Sequence, residues 1–296
     1  VKYRHGNPPL QAIMKIAQKK FLFEPYAELL GFHIDRLIGM KRVPPTAWVE
    51  LPIPWIQGSV SIMPPFYMQW LQLFVFEYPD CKSIIRTDKD GVKWMNLSAQ
   101  LWMSDVRNAM ESSVAPPPRY RDYMSHHLEV TPEVNASLAE VSDLFVFDYI
   151  IGNTDRGMSK NNYAVGGCKS NCHLPPEQVH KGPAQFLHID QGSAFYKRPG
   201  PPNNPLTETE HQSSKFCRFR KSVWQKMYDM RTMKGRPRAK TLWGRMKAEV
   251  PADIFRHVKD SRAMAAQTRM DHIITHTVEH CFPKAPKHEV LCFNDT

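Results

Sequence analysis

The chain has 296 residues, 42% of them hydrophobic and 11% aromatic, enough for one large domain or two lobes with a sizeable core. That composition excludes disorder of the whole chain. Lys and Arg outnumber Asp and Glu by 39 to 29, a formal charge of +10, which favours anionic partners such as nucleotide phosphates, acidic protein segments, sulfated glycans, anionic lipids or nucleic acid.

No zinc-finger, helix-turn-helix or RNA-binding signature singles out nucleic acid, and it is not expected as a partner. Apolar runs fall well short of the roughly 18 residues of a membrane span. The longest, Trp70–Phe76 and Leu144–Ile151, are interrupted by Gln72 and Asp148. No transmembrane segment is expected. The chain opens on Val1 without a charged-then-apolar leader and reads as a mature or truncated product, so its start does not report a compartment.

In chain order, Val1–Arg4 has the makings of a strand. From Tyr26 to Gly39, Leu29, Leu30, Ile34, Leu37 and Ile38 recur at helical spacing, and Gly39 is a natural stop. Val43 to Ile56 reads as extended, with prolines setting part of it at an edge. Phe66 to Phe76 is apolar and aromatic, helix or strand. Asn96 to Ser112 and Val134 to Ile151 read as helices. Asn162–Val165 and Phe186–Ile189 are short strand candidates. Proline clusters at 8–9, 44–45, 64–65, 116–118 and 199–205 mark loops between them. Helices return from about Lys215 to Met230 and Ala252 to Cys281. The balance is α+β, with helices dominating after residue 96.

The chemistry is concentrated in Phe147-Asp148-Tyr149-Ile150-Ile151-Gly152-Asn153-Thr154-Asp155-Arg156-Gly157, which runs on to Asn161-Asn162-Tyr163. After an insert comes Phe186-Leu187-His188-Ile189-Asp190-Gln191-Gly192. An apolar helix delivers Asp-Arg into a polar loop, a carboxamide and a strand follow, and a second Asp closes another strand. That order suits phosphoryl transfer. One carboxylate, Asp155, orients or accepts the proton of an attacking hydroxyl. A second, Asp190, with the carboxamide of Asn162 or Asn161, holds a divalent metal on the nucleotide phosphates.

This set resembles the atypical protein-kinase-like fold. Two branches compete: the Golgi secretory-pathway kinase family, whose protein-directed members have a histidine-rich loop here, and the type II phosphatidylinositol 4-kinases, whose Asn-Thr-Asp-Arg-Gly loop is almost identical. Ala27-Glu28-Leu29-Leu30-Gly31-Phe32-His33-Ile34-Asp35-Arg36, running into Arg42-Val43-Pro44-Pro45, is similar to the secretory kinases' AEIAAFHLDR and RVPP segments. Cys217-Arg218-Phe219-Arg220-Lys221-Ser222 resembles their CCRIRRS helix start, and Arg269-Met270-Asp271 leading to Glu279-His280-Cys281 resembles their last helix. The likeness covers residues 1 to 282, more loosely over 57–130 and 166–183.

The resemblance implies a two-lobed α+β kinase-like fold with a mostly helical C-lobe and an N-lobe short of its start. Residues 1–60 would be the remainder of the N-lobe, without the phosphate-covering strands and glycine-rich loop, and 61–296 the C-lobe. It implies ATP with Mg²⁺ or Mn²⁺ as cofactors and an alcohol group as acceptor. Lys2 would be the strand lysine on the α/β-phosphates and Glu28 its helix partner or a metal ligand, beside Asp190 and Asn162. It also implies work in the Golgi lumen or outside the cell on a secreted protein or glycan, with a kinase or pseudokinase partner. A lipid kinase and a pseudokinase that activates a true kinase are the alternatives. One departure is the step from Asp155 to Asn162, seven residues long where the kinase pattern has five.

Of six cysteines, Cys217 and Cys281 stand where the family has a disulfide. Cys168 and Cys172 are spaced to close a small loop, or with His173 to form part of a zinc site that lacks further ligands. Cys81 and Cys292 are left over as a further candidate pair. Asn96, Asn135 and Asn294 begin N-x-S/T sequons and are glycosylation candidates.

Overall fold

The computed structural model describes residues 2–3, 10–157, 160–167, 180, 182–195, 200–211, 214–258 and 260–294. Two lobes follow one another along the chain. The first is built on an antiparallel sheet of β1 (Lys2–Tyr3), β2 (Leu10–Ile16), β3 (Thr46–Pro52), β4 (Arg86–Thr87) and β5 (Lys93–Leu101). Its order is β1-β2-β5-β3, with β4 also on β5. Helix α1 (Glu24–Ile38) packs on this sheet and reaches across to the helical lobe. Its buried stripe is Tyr26, Leu29, Leu30, Ile34 and Ile38, and it ends at Gly39, whose φ of 79° suits the left-handed cap.

Outside the sheet lie α2 (Ile53–Val60), α3 (Pro65–Leu71) and α4 (Pro79–Lys82). Ile53 of α2 and Leu71 of α3 pack with Val75, Phe76 and, from β5, Met95 in a small core. The helical lobe comprises α5 (Tyr120–Met124), α6 (Pro132–Ile151), α7 (Lys221–Asp229), α8 (Leu242–Glu249), α9 (Ile254–His257) and α10 (Asp260–His276), with α10 packed on α6, α7 and α8. Every residue of α6 from Ser137 to Ile151 is buried, as expected of a helix surrounded on all sides. A three-stranded sheet, β6 (Arg107–Asn108), β7 (Tyr163–Val165) and β8 (Gln185–Leu187), lies between the lobes' working loops.

The predicted helices at 26–39 and 134–151 and the strands near 163 and 186 are present. Three expectations change. Asn96 to Ser112 is not a helix: it begins inside β5, continues through a connecting loop into β6 and ends in a short 3₁₀ turn at Ala109–Glu111. Because β4 and β5 complete the first sheet, the first lobe runs to Leu101, not to residue 60. The extended segment from Val43 stops at Pro52, where α2 begins.

Candidate active site

The first lobe brings a lysine to the cleft, but it is Lys15. Lys2, given that part from the sequence, lies on β1, one strand further out, opposite Gln11. Lys15 is on β2, and its Nζ sits 2.8 Å from Glu24 Oε1, 3.9 Å from Glu28 Oε1 and 3.0 Å from Asp190 Oδ1. Burial alone would lower the pKa of this ammonium. The three carboxylates outweigh it and raise the pKa well above its ordinary value.

Glu24 and Glu28 stand one turn apart on α1 and so share a face. Glu28 is fully buried, takes the backbone N–H of Gln191 at 2.7 Å and faces the Gln100 amide on β5 at 3.4 Å. Burial pushes its carboxyl up to about 7 against the pull of Lys15 and the Gln191 N–H. Sequence reading missed both Lys15 and Glu24. For Glu24 the only signal was its helical spacing from Glu28.

The second lobe contributes two loops held together by Arg156. Its Nε pairs with Asp148 Oδ2 on α6 at 2.8 Å. Its Nη1 donates to Asn161 O at 2.6 Å, and its Nη2 donates to Ile189 O at 2.8 Å and Gln191 Oε1 at 2.9 Å. One guanidinium therefore ties the loop that follows Asp155 to the residue just before Asp190. Gly31 lets α1 approach this junction: a Cβ there would lie 2.9 Å from Gln191 Cγ. His188 is buried behind Asp190 and stacks on Phe147 with centroids 4.9 Å apart. Burial, Arg156 and Arg42 hold it neutral, well below its usual pKa.

Asp155 and Asp190 have half-exposed side chains, 44% and 45%. The carboxamide on Asp155 is that of Asn161, at 3.0 Å from Oδ2. Asn162 is buried, its Nδ2 donating to Gly157 O at 2.5 Å. Beside the ionic cluster lies a cavity of about 540 Å³ between the lobes, lined by Ile13, Pro44, Trp102, Met103, Leu187 and Ile189 among others. Ile189 joins it to Asp190, and Gln100, which also lines it, joins it to Glu28. The site thus has an apolar slot leading to three carboxylates around one ammonium. An all-oxygen donor set with surplus negative charge fits a hard divalent cation.

Elsewhere, Cys217 and Cys281 form a disulfide. Cys81 and Cys292, which the sequence left as a further candidate pair, are free. Cys168, Cys172 and His173 lie outside the described residues. Asn135 and Asn294 are exposed, while Asn96 is half-buried on the central strand β5. No helix among the described residues is long and apolar enough to cross a membrane.

Fold and cleft together follow an atypical kinase-like, two-lobed plan. No protein-family model matches the sequence, and no curated protein matches it. Solved structures match the fold. Hydra Fam20 with sugar superposes with a TM-score of 0.57 at 15% identity, covering 96% of this chain and 82% of that one. The Golgi casein kinase gives 0.53 at 17%, covering 94% and 70%. The same kinase with Mn/ADP bound gives 0.55 at 18%, covering 93% and 68%. The fold is that of the Fam20-like secretory kinases.

Proposed function

We propose that this chain is a secretory-pathway kinase that transfers the γ-phosphate of ATP to a hydroxyl of a secreted protein or glycan. The observation that supports the proposal is the Arg156 clamp, which ties the segment after Asp155 to the residue before Asp190, with the Lys15–Glu28 pair beside an interlobe cavity.

The cavity takes the base. Lys15 grips the phosphates, and Glu28 fixes Lys15. Asp155 orients the acceptor hydroxyl and takes its proton. Asp190 and Glu28, with Asn162 and the neighbouring Glu24, would hold Mg²⁺ or Mn²⁺. Such an ion supplies neutralisation of phosphate charge when bound. The Mn/ADP complex of the fold neighbour supports this choice of nucleotide and metal.

The test is transfer from labelled ATP in the presence of Mn²⁺. Asp190→Ala should abolish it and also abolish the metal-dependent melting shift with ADP. Retained turnover in Asp190→Ala would refute the assignment. A wild-type chain that shows the melting shift but no transfer would be a pseudokinase.

A further inference from the structure

The first lobe carries an apolar face that its own packing leaves uncovered. Residues 53–76 contain no charged side chain. Seven of the twelve large hydrophobic side chains that stand exposed among the described residues fall in this one stretch. Ile62, in the link between α2 and α3, is 90% exposed, Phe66 63% and Leu73 59%. Helix α3 runs on into the wider helical turn Gln72–Phe76. Leu71 and Val75, one turn apart, belong to the small core with Ile53 and Met95. Phe66, Tyr67, Trp70, Leu73 and Phe74 recur at three- and four-residue spacing and so share about a third of the circumference next to that buried side. Trp70 lies against Phe74 with centroids 6.1 Å apart. A helix that packs on one side only is expected to be polar outside, and this one is apolar there as well.

The rim of this face is basic. The Lys19 backbone N–H donates to Phe74 O at 2.9 Å, and Lys19 Nζ lies 5.7 Å from the Phe74 ring centre and 5.8 Å from that of Tyr78. Lys20 follows, also exposed, 5.3 Å over Phe21. Glu77 and Asp80 come only after the stripe in the chain, and Glu77 accepts from Gln72 Nε2 at 2.6 Å. Rings bordered by lysines suit the boundary between water and acyl chains, where apolar side chains enter and ammonium groups meet anionic headgroups. A second copy of the chain would bring the same uncharged stripe and more lysines, with no counter-charge inside the patch. No helix among the described residues is long and apolar enough to cross a membrane, so the stripe suits the surface of a bilayer rather than its full depth.

We propose that this face docks the chain on an anionic lipid bilayer. Ile62 and the stripe on α3 enter the boundary between headgroups and acyl chains, and Lys19 and Lys20 rest on the headgroups. Such docking asks nothing of the cleft and holds for an active or an inactive chain.

The experiment floats the full chain with vesicles of phosphatidylcholine, with and without phosphatidylserine. Wild type should bind the vesicles that contain phosphatidylserine, less so as salt is added. Lys19→Gln/Lys20→Gln should weaken that binding roughly 30-fold, the usual worth of two basic residues beside an anionic surface. Ile62→Ser/Phe66→Ser/Leu73→Ser should weaken it at least about 100-fold through lost apolar burial. Its melting temperature should stay unchanged, because all three side chains are exposed. Should the triple variant fail to fold, Ile62→Ser alone should weaken binding about tenfold. Wild type that stays unbound by phosphatidylserine vesicles overturns the proposal, as does binding that either set of substitutions leaves within about twofold of wild type. A dimer in sedimentation that the apolar substitutions disperse, without vesicle binding, gives the face to a second copy and overturns it too. Each of these results leaves the kinase reading as it stands.

Discussion

Replacing Arg156 by alanine tests the claim that one guanidinium assembles the cleft. Its side chain is 2% exposed and that of Asp148 is 5% exposed. The change strands a carboxylate in the interior and removes the donors to Asn161 O, Ile189 O and Gln191 Oε1. Breaking a buried pair from one side costs about 3–5 kcal/mol, and each orphaned acceptor adds on the order of 1 kcal/mol. One term reduces this: burial already holds Asp148 at about 6 despite Arg156. Without Arg156 it protonates near neutral pH and sheds part of the charge penalty. The net expectation is about 4 kcal/mol, or a fall in melting temperature of about 10 °C for a chain of this size. Thermal unfolding of Arg156→Ala, Asp148→Asn and the double variant measures it. The double variant should be clearly more stable than the sum of the single losses. A loss below about 1 kcal/mol, or strict additivity, would refute the reasoning.

Two further outcomes follow from the same contacts. Glu28 has its folded pKa raised from 4.5 to about 7, so the folded state binds the proton more tightly than the unfolded one. Its contribution therefore lowers metal-free stability as pH climbs from about 4.5 through about 7, and is level above that. A cation held by the carboxylate displaces this proton, so the melting shift produced by Mn²⁺ should grow between about pH 6 and 8. Glu28→Gln should flatten that growth; an unchanged slope would count against Glu28 as a ligand. The Cys217–Cys281 disulfide joins residues 64 apart, and a loop of that size predicts a loss of about 2–4 kcal/mol on removal. Melting curves of Cys217→Ser/Cys281→Ser against wild type measure it, and coincident curves would contradict it.

The loops of Asp155 and Asp190 were legible because their residues are compressed into short, ordered motifs. Helix α1 was legible because it is amphipathic, with an apolar stripe and a glycine stop. The lysine at the centre of the ionic cluster was not. Lys2, Lys15, Lys19 and Lys20 all occur near the start of the chain, and only the pairing of β1 with β2 and of β2 with β5 selects Lys15. Strand β5 was misread for a related reason. It is paired on both sides, and Leu97, Ser98, Ala99 and Gln100 are all buried. Alternation, the usual strand signal, is therefore missing. The lobe boundary moved with it, since β5 closes the first sheet.

The lobes are joined through a buried set of charges on α6 that extends the logic of the Arg156 clamp. Glu140 pairs with Arg42, which follows α1, and also takes the Phe186 N–H of β8 at 2.7 Å. Asp143 pairs with Arg220 at 2.7 Å, and Arg220 reaches Glu140 at 3.5 Å. Asp148, further along the same helix, holds Arg156. Burial pushes Asp143 and Asp148 up to about 6 even with their arginines present, so these pairs carry a desolvation penalty that an apolar core would not. What they provide is direction. Each acid on this one rigid helix specifies the position of a separate segment: the Arg42 loop with the strand leading to Asp190, the start of α7, and the loop bearing Asp155. A hydrophobic replacement could fill the same volume and leave those segments free to slide. The cleft depends on two loops keeping register with a lysine on the opposite lobe, and α6 is the element that all of them are measured against.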